Sequence, residues 1–209
     1  MELSADALEP DNRRYFGFVV PDKPKVLISG NQTSTDYASL ILGRLQLRGE
    51  SLAEVSTGSP SSLSGMNLAA YDAVIVCGGP FRQADYDRLE QFVRGGGSAI
   101  IFADPATDVS LQSQALARFG FGGLVDLKYG SGTEATFSQF DKSHPLFEGV
   151  FKTDGSTGER TESPGIAHAL AARGGLSIID IPGGSFLAES SLGEGRAIYC
   201  AVAPSAEWS

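Results

Sequence analysis

Tyr71-Asp-Ala-Val-Ile-Val-Cys-Gly-Gly-Pro80 is the stretch that decides the fold. Its apolar run has no alternating polar residue, which suits a strand buried on both faces, as the strands of parallel sheets are. Gly78-Gly79-Pro80 stops it. Beyond the stop, Asp85 is a helix-capping residue type, and Tyr86, Leu89, Phe92 and Val93 recur at helical spacing, so a helix with one apolar face follows. Gly95-Gly96-Gly97 ends that helix, and Ser98-Ala-Ile-Ile-Phe-Ala103 reads as another buried strand, closed by Asp104-Pro105. The spacing then predicts a helix over 111–119.

Toward the N-terminus the same alternation recurs. Lys25-Val-Leu-Ile-Ser-Gly30 is a short buried strand ending in glycine. Ser34, Thr35 and Asp36 are helix N-cap types, and Tyr37, Leu40, Ile41 and Leu45 fall at helical spacing behind them as an apolar face, with Gly49 placed to close the helix. A second strand is expected over 51–56 and a loop over 57–65, which is rich in Ser, Gly and Pro. Three strand-to-helix alternations in a row imply parallel strands joined by right-handed crossovers, hence an α/β doubly wound sheet with helices on both faces. The second half is β-rich. Strands are expected over 124–129, 135–140, 166–172, 176–181 and 186–190. His144-Pro-Leu-Phe147 reads as a packed turn, 152–165 as a long exposed loop, and Leu192-Gly-Glu-Gly-Arg196 as a hairpin turn into the strand beginning at Ala197.

The 209 residues and 42% hydrophobic content are those of a globular chain, which at this size buries roughly 70% of its unfolded surface without metal or disulfide. Sixteen Lys and Arg stand against 25 acids, a net charge of −9 that argues against nucleic acid or an anionic membrane surface as partner. Two histidines and two cysteines exclude a zinc finger or a disulfide scaffold. The first residues lack the apolar core of a signal peptide, and no run approaches the ~18 apolar residues that span a bilayer. The stretch 1–24 reads differently from the rest, with Tyr15-Phe-Gly-Phe-Val-Val20 as a strand and Pro21 and Pro24 bracketing a linker. Trp208, close behind a strong strand, reads as the mark of a piece cut from a longer protein.

Chemistry-bearing residues are few. Cys77 ends a strand at the carboxyl edge of the sheet, where α/β sites form; a nucleophile there needs a base and a lowered pKa, and otherwise the side chain is a small buried hydrophobe. Cys200 lies within a strand. Placing both cysteines in strands argues against a disulfide. His144 needs an orienting acid to act as a general base, and Asp141 and Glu148 are near in sequence; the other reading is a capping role. His168 reads as a surface or sheet-face residue. Asp104 with Asp108 is either a carboxylate pair for Mg²⁺ or acid–base work, or a set of turn and cap residues. Gly95-Gly96-Gly97 precedes a strand, whereas a dinucleotide fingerprint follows one. The chain contains no phosphate-binding loop, Gly-x-Ser-x-Gly elbow or His-Glu-x-x-His helix, and no cofactor or metal is implied.

The order of segments resembles the class I glutamine amidotransferase-like fold, whose sheet is flavodoxin-like. Tyr71 to Pro80 is similar to its third strand and glycine loop. Active amidotransferases carry their nucleophile in a Gly-x-Cys-x-Gly elbow after the next strand. Here Ala103 and Asp104 occupy that region, and the partner His-Pro-x-Glu motif is missing. A closer resemblance is to the amidotransferase-like domain of Bat aerotolerance-type membrane proteins. It is carried by Asp6-Ala-Leu-Glu-Pro-Asp-Asn-Arg-Arg-Tyr-Phe16, by Leu89-Glu-Gln-Phe-Val-Arg-Gly-Gly-Gly-Ser-Ala-Ile-Ile-Phe102, and by His144-Pro-Leu-Phe147 with Gly193-Glu-Gly-Arg196 and Ala206-Glu-Trp-Ser209. The resemblance implies that residues 1–24 close a preceding β-sandwich domain and that 25–209 form a silent amidotransferase-like domain. It also implies a membrane-anchored parent with this domain extracytoplasmic, partnered by its neighbouring domains and by membrane-complex proteins.

Three functions follow as expectations. The first is a non-catalytic interaction or ligand-sensing module, with any ligand at the carboxyl ends of the strands near Asn31, Gly79 and Asp104. The second is a divergent hydrolase or isomerase using Cys77 or Asp104 with His144, which requires His144 to lie within about 8 Å of one of them. The third is a structural spacer.

Overall fold

The computed structural model describes residues 22–44, 46–47, 49–130, 132–148 and 163–204. Outside them lie the strand expected over 15–20 with nearly all of the 1–24 segment, Leu45, most of the loop expected over 152–165, and the segment containing Trp208. In chain order the elements are β1 (Lys25–Gly30), α1 (Gln32–Arg44), a hairpin of β2 (Gln46–Leu47) and β3 (Glu50–Ser51), β4 (Glu54–Gly58), β5 (Ala73–Cys77), α2 (Gln83–Arg94), β6 (Ser98–Phe102), α3 (Val109–Arg118), β7 (Leu124–Lys128), β8 (Gln139–Phe140), β9 (His168–Ala172), β10 (Leu176–Ile181), β11 (Gly184–Leu192) and β12 (Gly195–Cys200).

Five parallel strands lie in the order β4-β1-β5-β6-β12. Numbered among themselves they run 2-1-3-4-5, the flavodoxin-like winding. The sheet then changes direction: β11, β10 and β8 follow β12 as antiparallel neighbours, and β9 pairs with β11 and β7. This antiparallel extension is the β-rich second half read from the sequence.

Side chains alternate across the strands, so each strand feeds two cores. Leu27, Val74, Val76, Ala99 and Ile101 point to the larger core, under Tyr86, Leu89 and Val93 of α2 and Ala115 and Leu116 of α3. Val26, Ile28, Ile75 and Cys77 point to the other side, where Ala38 and Leu42 of α1 cover them. Helices therefore stand on both faces, as expected.

Several local expectations need correction. The helix after β1 buries Ser34 and Thr35 and packs Ala38 and Leu42, while Tyr37, Leu40 and Ile41 are 50%, 57% and 63% exposed. The apolar stripe expected to face the core thus faces away from it, and Ala38 and Leu42 on the other side pack against the sheet. Its capping residue is Asn31, upstream of the three predicted, and it ends at Arg44; Gly49 instead takes φ +84° in the hairpin between β2 and β3. Asp85 is the third residue of α2 and not its first. It still caps, since its carboxylate accepts the Arg82 backbone N–H at 2.8 Å and that of Ser64 at 3.1 Å. The strand expected over 51–56 is shifted to Glu54–Gly58, with Ser51 left in the β2–β3 hairpin, and the expected loop contains a 3₁₀ turn, Pro60–Gly65, that buries Leu63. The strand expected over 135–140 is reduced to one bridge, Ala135 with Ile166, and the two residues of β8. In the His144 turn only one of the two apolar residues packs as expected: Phe147 stacks on Phe140 at 4.9 Å, whereas Leu146 is 42% exposed.

Candidate functional site

The carboxyl ends of β1, β5 and β6 bring Asn31, Gly79 and Asp104 to one edge of the sheet. Gly30 must be glycine, because a Cβ there would fall on the Cys77 carbonyl of the adjacent strand. Asn31 ties β1 to the next loop: its N–H donates to the Gly78 carbonyl at 2.5 Å, and its Oδ1 accepts the Ser34 N–H at 2.9 Å. Gly78 takes φ +67°, a conformation that glycine adopts at no steric cost. A Cβ on Gly79 would fall on Asp104 Oδ2, so the glycine loop and the carboxylate are in direct apposition.

Asp104 is 1% exposed and fully engaged. Its Oδ1 accepts the Ala106 N–H at 3.0 Å, and its Oδ2 accepts the Thr107 hydroxyl. That hydroxyl in turn accepts the Phe81 N–H at 2.8 Å. Gln112, from α3, closes the set. Its Oε1 accepts the Asp104 N–H at 3.0 Å, and its Nε2 donates to the carbonyls of Asp104 at 2.6 Å and Thr107 at 2.9 Å. The result is a buried clasp joining the loops after β5 and β6 to α3. Every oxygen of the Asp104 side chain has a protein donor, as a buried carboxylate requires. Asp108 is the N-cap of α3, accepting the Leu111 N–H at 2.9 Å. The two carboxylates are thus turn and cap residues, the second of the roles read from the sequence.

Cys77 is wholly buried, and burial, with the charge of Asp104 adding to it, pushes its thiol up to about 12. Such a sulfur is a thiol at neutral pH and carries no nucleophile. Cys200 is raised to about 11 by burial, and both cysteines are free.

His144 stands elsewhere. Its Nδ1 accepts the Leu146 N–H at 3.2 Å, and its Nε2 meets Glu189 Oε2 at 2.7 Å; Glu189 Oε1 meets Arg196 Nε at 2.7 Å. Both ring nitrogens are therefore occupied, with Nδ1 the acceptor and Nε2–H the donor. The orienting acid is Glu189 on β11, not Asp141 or Glu148; Asp141 is taken by the Ser143 hydroxyl at 2.6 Å. Because β6 and β12 separate β5 from β11, three strand spacings of ~4.8 Å put about 14 Å between the strand of Cys77 and that of Glu189. Asp104 lies four residues beyond Ile100, the level at which β6 meets Glu189 through Ile198, so about 13 Å along the strand adds to two spacings across it. The structure does not bring His144 to Cys77 or to Asp104. His168 sits on the sheet face as read, with Nε2 at 2.6 Å from Asp126 Oδ1.

Sequence reasoning missed Thr107, Gln112 and Glu189. Gln112 had a signal: it falls on the same helical stripe as Ala115, Leu116 and Phe119, where a lone polar residue must find buried partners. Among the described residues no group of three or more His, Cys, Asp or Glu is disposed to hold a metal, and no helix is long and apolar enough to cross a membrane. A cleft of about 520 Å³ opens at the amino ends of β5 and β6, between Tyr71, Asp72, Arg88, Phe92 and Gly96, at the opposite end of the sheet from Asp104.

The strand winding makes this a flavodoxin-like α/β protein. No protein-family model matches the chain, and no curated protein is significantly similar to it. Solved structures share the fold. A cytoplasmic protein of Salmonella typhimurium superposes with a TM-score of 0.65 at 12% identity, covering 88% of this chain and 90% of that one. A ThuA-like protein of Bacteroides uniformis gives 0.54 at 15% identity, covering 90% and 86%. The exo-β-1,4-mannosidase of an Opitutaceae bacterium gives 0.54 at 14% identity over 87% of this chain, but only 31% of the enzyme.

Proposed function

We propose that this chain is a non-catalytic amidotransferase-like module that works by binding, within a larger membrane-anchored protein of the Bat aerotolerance type that holds it outside the cytoplasm. One observation carries the non-catalytic reading. Where active amidotransferases present a nucleophile, this chain has Ala103, wholly buried, and Asp104, whose carboxylate is spent on Ala106 and Thr107. A nucleophile needs a free lone pair facing substrate and a base within hydrogen-bond reach. Both Asp104 oxygens are engaged, and the Asp104 charge near Cys77 adds to burial in holding that thiol up at about 12.

The membrane-anchored setting rests on the three sequence segments that resemble Bat-type proteins. The mannosidase, in which the same fold fills about a third of the chain, supports the use of this fold as one part of a larger protein. The test has two arms. The purified domain, incubated with millimolar glutamine, should release no ammonia above buffer; release at an enzyme-like rate overturns the silent reading. The full-length parent, expressed in its host, should sediment with membranes and lose this domain to protease added outside spheroplasts. A soluble or protected domain overturns the placement.

A further inference from the structure

The cleft of about 520 Å³ at the amino ends of β5 and β6 has the size of a small-molecule site, and like such sites it sets a few polar groups among apolar walls. The walls are Leu68, Tyr71 and Phe92, with both rings only partly buried. A Cβ on Gly97 would collide with the Phe92 ring, so the ring lies directly against backbone. Two charged side chains, Arg88 and Asp72, line the same cleft. Arg88 is partly buried, yet among the described residues its one hydrogen bond runs from Nη2 to the Met66 carbonyl at 3.4 Å. Its Nε is shut away from solvent with no acceptor. Asp72 is held from three directions. Its N–H donates to the Lys25 carbonyl at 2.9 Å, its carbonyl accepts the Ser98 N–H at 3.1 Å, and its Oδ2 accepts the Lys25 N–H at 2.8 Å. That leaves Oδ1 without a donor among the described residues. Neither Arg88 nor Asp72 enters an ion pair among those residues, so a cation and an anion share one cleft without pairing.

We propose that this cleft binds a small zwitterion with an aromatic side chain, of the class of the free aromatic α-amino acids. The unpaired charges carry the inference. An arginine kept only to cap the Met66 carbonyl would need no fork, and a structural pair would have closed on itself. A purely anionic ligand would meet the Asp72 charge and the chain's net charge of −9, and a purely cationic one would meet Arg88. A zwitterion satisfies both. Its carboxylate takes the free edge of the Arg88 guanidinium, whose planar fork matches two carboxylate oxygens. Its ammonium donates to Asp72 Oδ1. Its ring rests against Tyr71 and Phe92, where aromatic pairs gain beyond the area they bury. A ligand of about a dozen non-hydrogen atoms, at the efficiency usual for small ligands, binds with a Kd on the order of 100 μM. The site deepens the binding role proposed above and rests on that role for its use. It places the ligand at the amino edge of the sheet, whereas at the carboxyl edge the Asp104 oxygens are already taken.

The experiment is calorimetric titration of the chain with L-phenylalanine, with amide NMR shifts to place the ligand and far-UV circular dichroism as the check on folding. The wild type should bind with a Kd on the order of 100 μM and move the signals of residues 68–72 and 88–97. 3-Phenylpropionate, which lacks the ammonium, and phenethylamine, which lacks the carboxylate, should each bind at least about tenfold more weakly. Arg88→Gln should erase the preference for L-phenylalanine over phenethylamine. Asp72→Asn, whose amide oxygen can still accept the Lys25 N–H, should erase the preference over 3-phenylpropionate. Should a variant fail to fold, the ranking of the three ligands on the wild type decides alone. No saturable binding of L-phenylalanine up to about 10 mM overturns the proposal. So does binding that the two half-ligands equal, that folded variants leave unchanged, or that shifts Asn31, Gly79 and Asp104 instead of the cleft. Ammonia release from glutamine by a chain that binds L-phenylalanine in the cleft would break the silent reading alone. A silent chain that binds none of the three ligands would break the cleft reading alone.

Discussion

The helices α1 and α2 both carry large apolar residues at helical spacing and treat them oppositely. In α2, Tyr86, Leu89 and Val93 are no more than 2% exposed and pack onto the sheet. In α1, Tyr37, Leu40 and Ile41 stand in solvent, and the contact with the sheet is made by Ser34, Thr35, Ala38 and Leu42. The lesson is that a helical period shows where an apolar stripe runs, not which way it faces. On α2 the opposite side is polar, with Asp87, Gln91 and Arg94, so only one orientation is open. On α1 two stripes compete, and the one carrying Ala38 and Leu42 packs over Val26, Ile28 and Cys77.

The sharpest way to break this contrast is to truncate matched leucines. Leu89→Ala in α2 should cost about 3 kcal/mol in urea unfolding, because it empties a fully buried site; a loss under 1 kcal/mol would mean that α2 is not the anchored helix. Next comes Asp85, the buried cap of α2. Burial alone would raise its carboxyl, but hydrogen bonds from the Arg82 backbone and side chain and from Ser64 outweigh it and hold the group below the usual carboxylate value. Asp85→Asn should therefore cost about 2 kcal/mol near neutrality. Because the folded value is lowered, the wild-type advantage is whole above about pH 4, the ordinary Asp value, and fades as pH falls through the folded one. Unfolding both proteins from pH 7 down to pH 2 checks this, and a constant gap would refute the ionic role. On α1 the sign reverses. Gly43→Ala has open space and a helical backbone, so it should stabilise the protein by about 0.7 kcal/mol. The smallest effect is that of Leu40→Gln, expected within about 0.5 kcal/mol of wild type in thermal unfolding. A loss comparable to that of Leu89→Ala would show α1 to be buried after all.

Much of the framework was legible. Ala73–Cys77 and Ser98–Phe102 are strands where the apolar runs placed them, and the glycines at 78–79 and 95–97 punctuate them. These signals are local: a run of apolar side chains and a break. The convergence of Asn31, Gly79 and Asp104 was legible too, since it follows from strand order alone. What they do there was not. Asp104 is closed by Thr107 and Gln112, and the geometry that spends its oxygens depends on a turn whose shape no spacing reveals. The partner of His144 lies 45 residues away on β11, and only the antiparallel extension of the sheet brings it near. Nearby acids were the natural candidates, and proximity in sequence was the wrong measure.

The position of β12 has a consequence for how the chain is made. Gly195–Cys200 lies late in the sequence, yet it occupies the middle of the sheet, hydrogen-bonded to β6 on one side and β11 on the other. Until a ribosome has released those residues, the first four parallel strands and the antiparallel extension are two separate ribbons, each with a raw edge. Such edges pair readily with other chains. Assembly therefore waits on the synthesis of Gly195–Cys200, and a nascent chain halted before Gly195 would be a seed for aggregation and not a smaller folded protein.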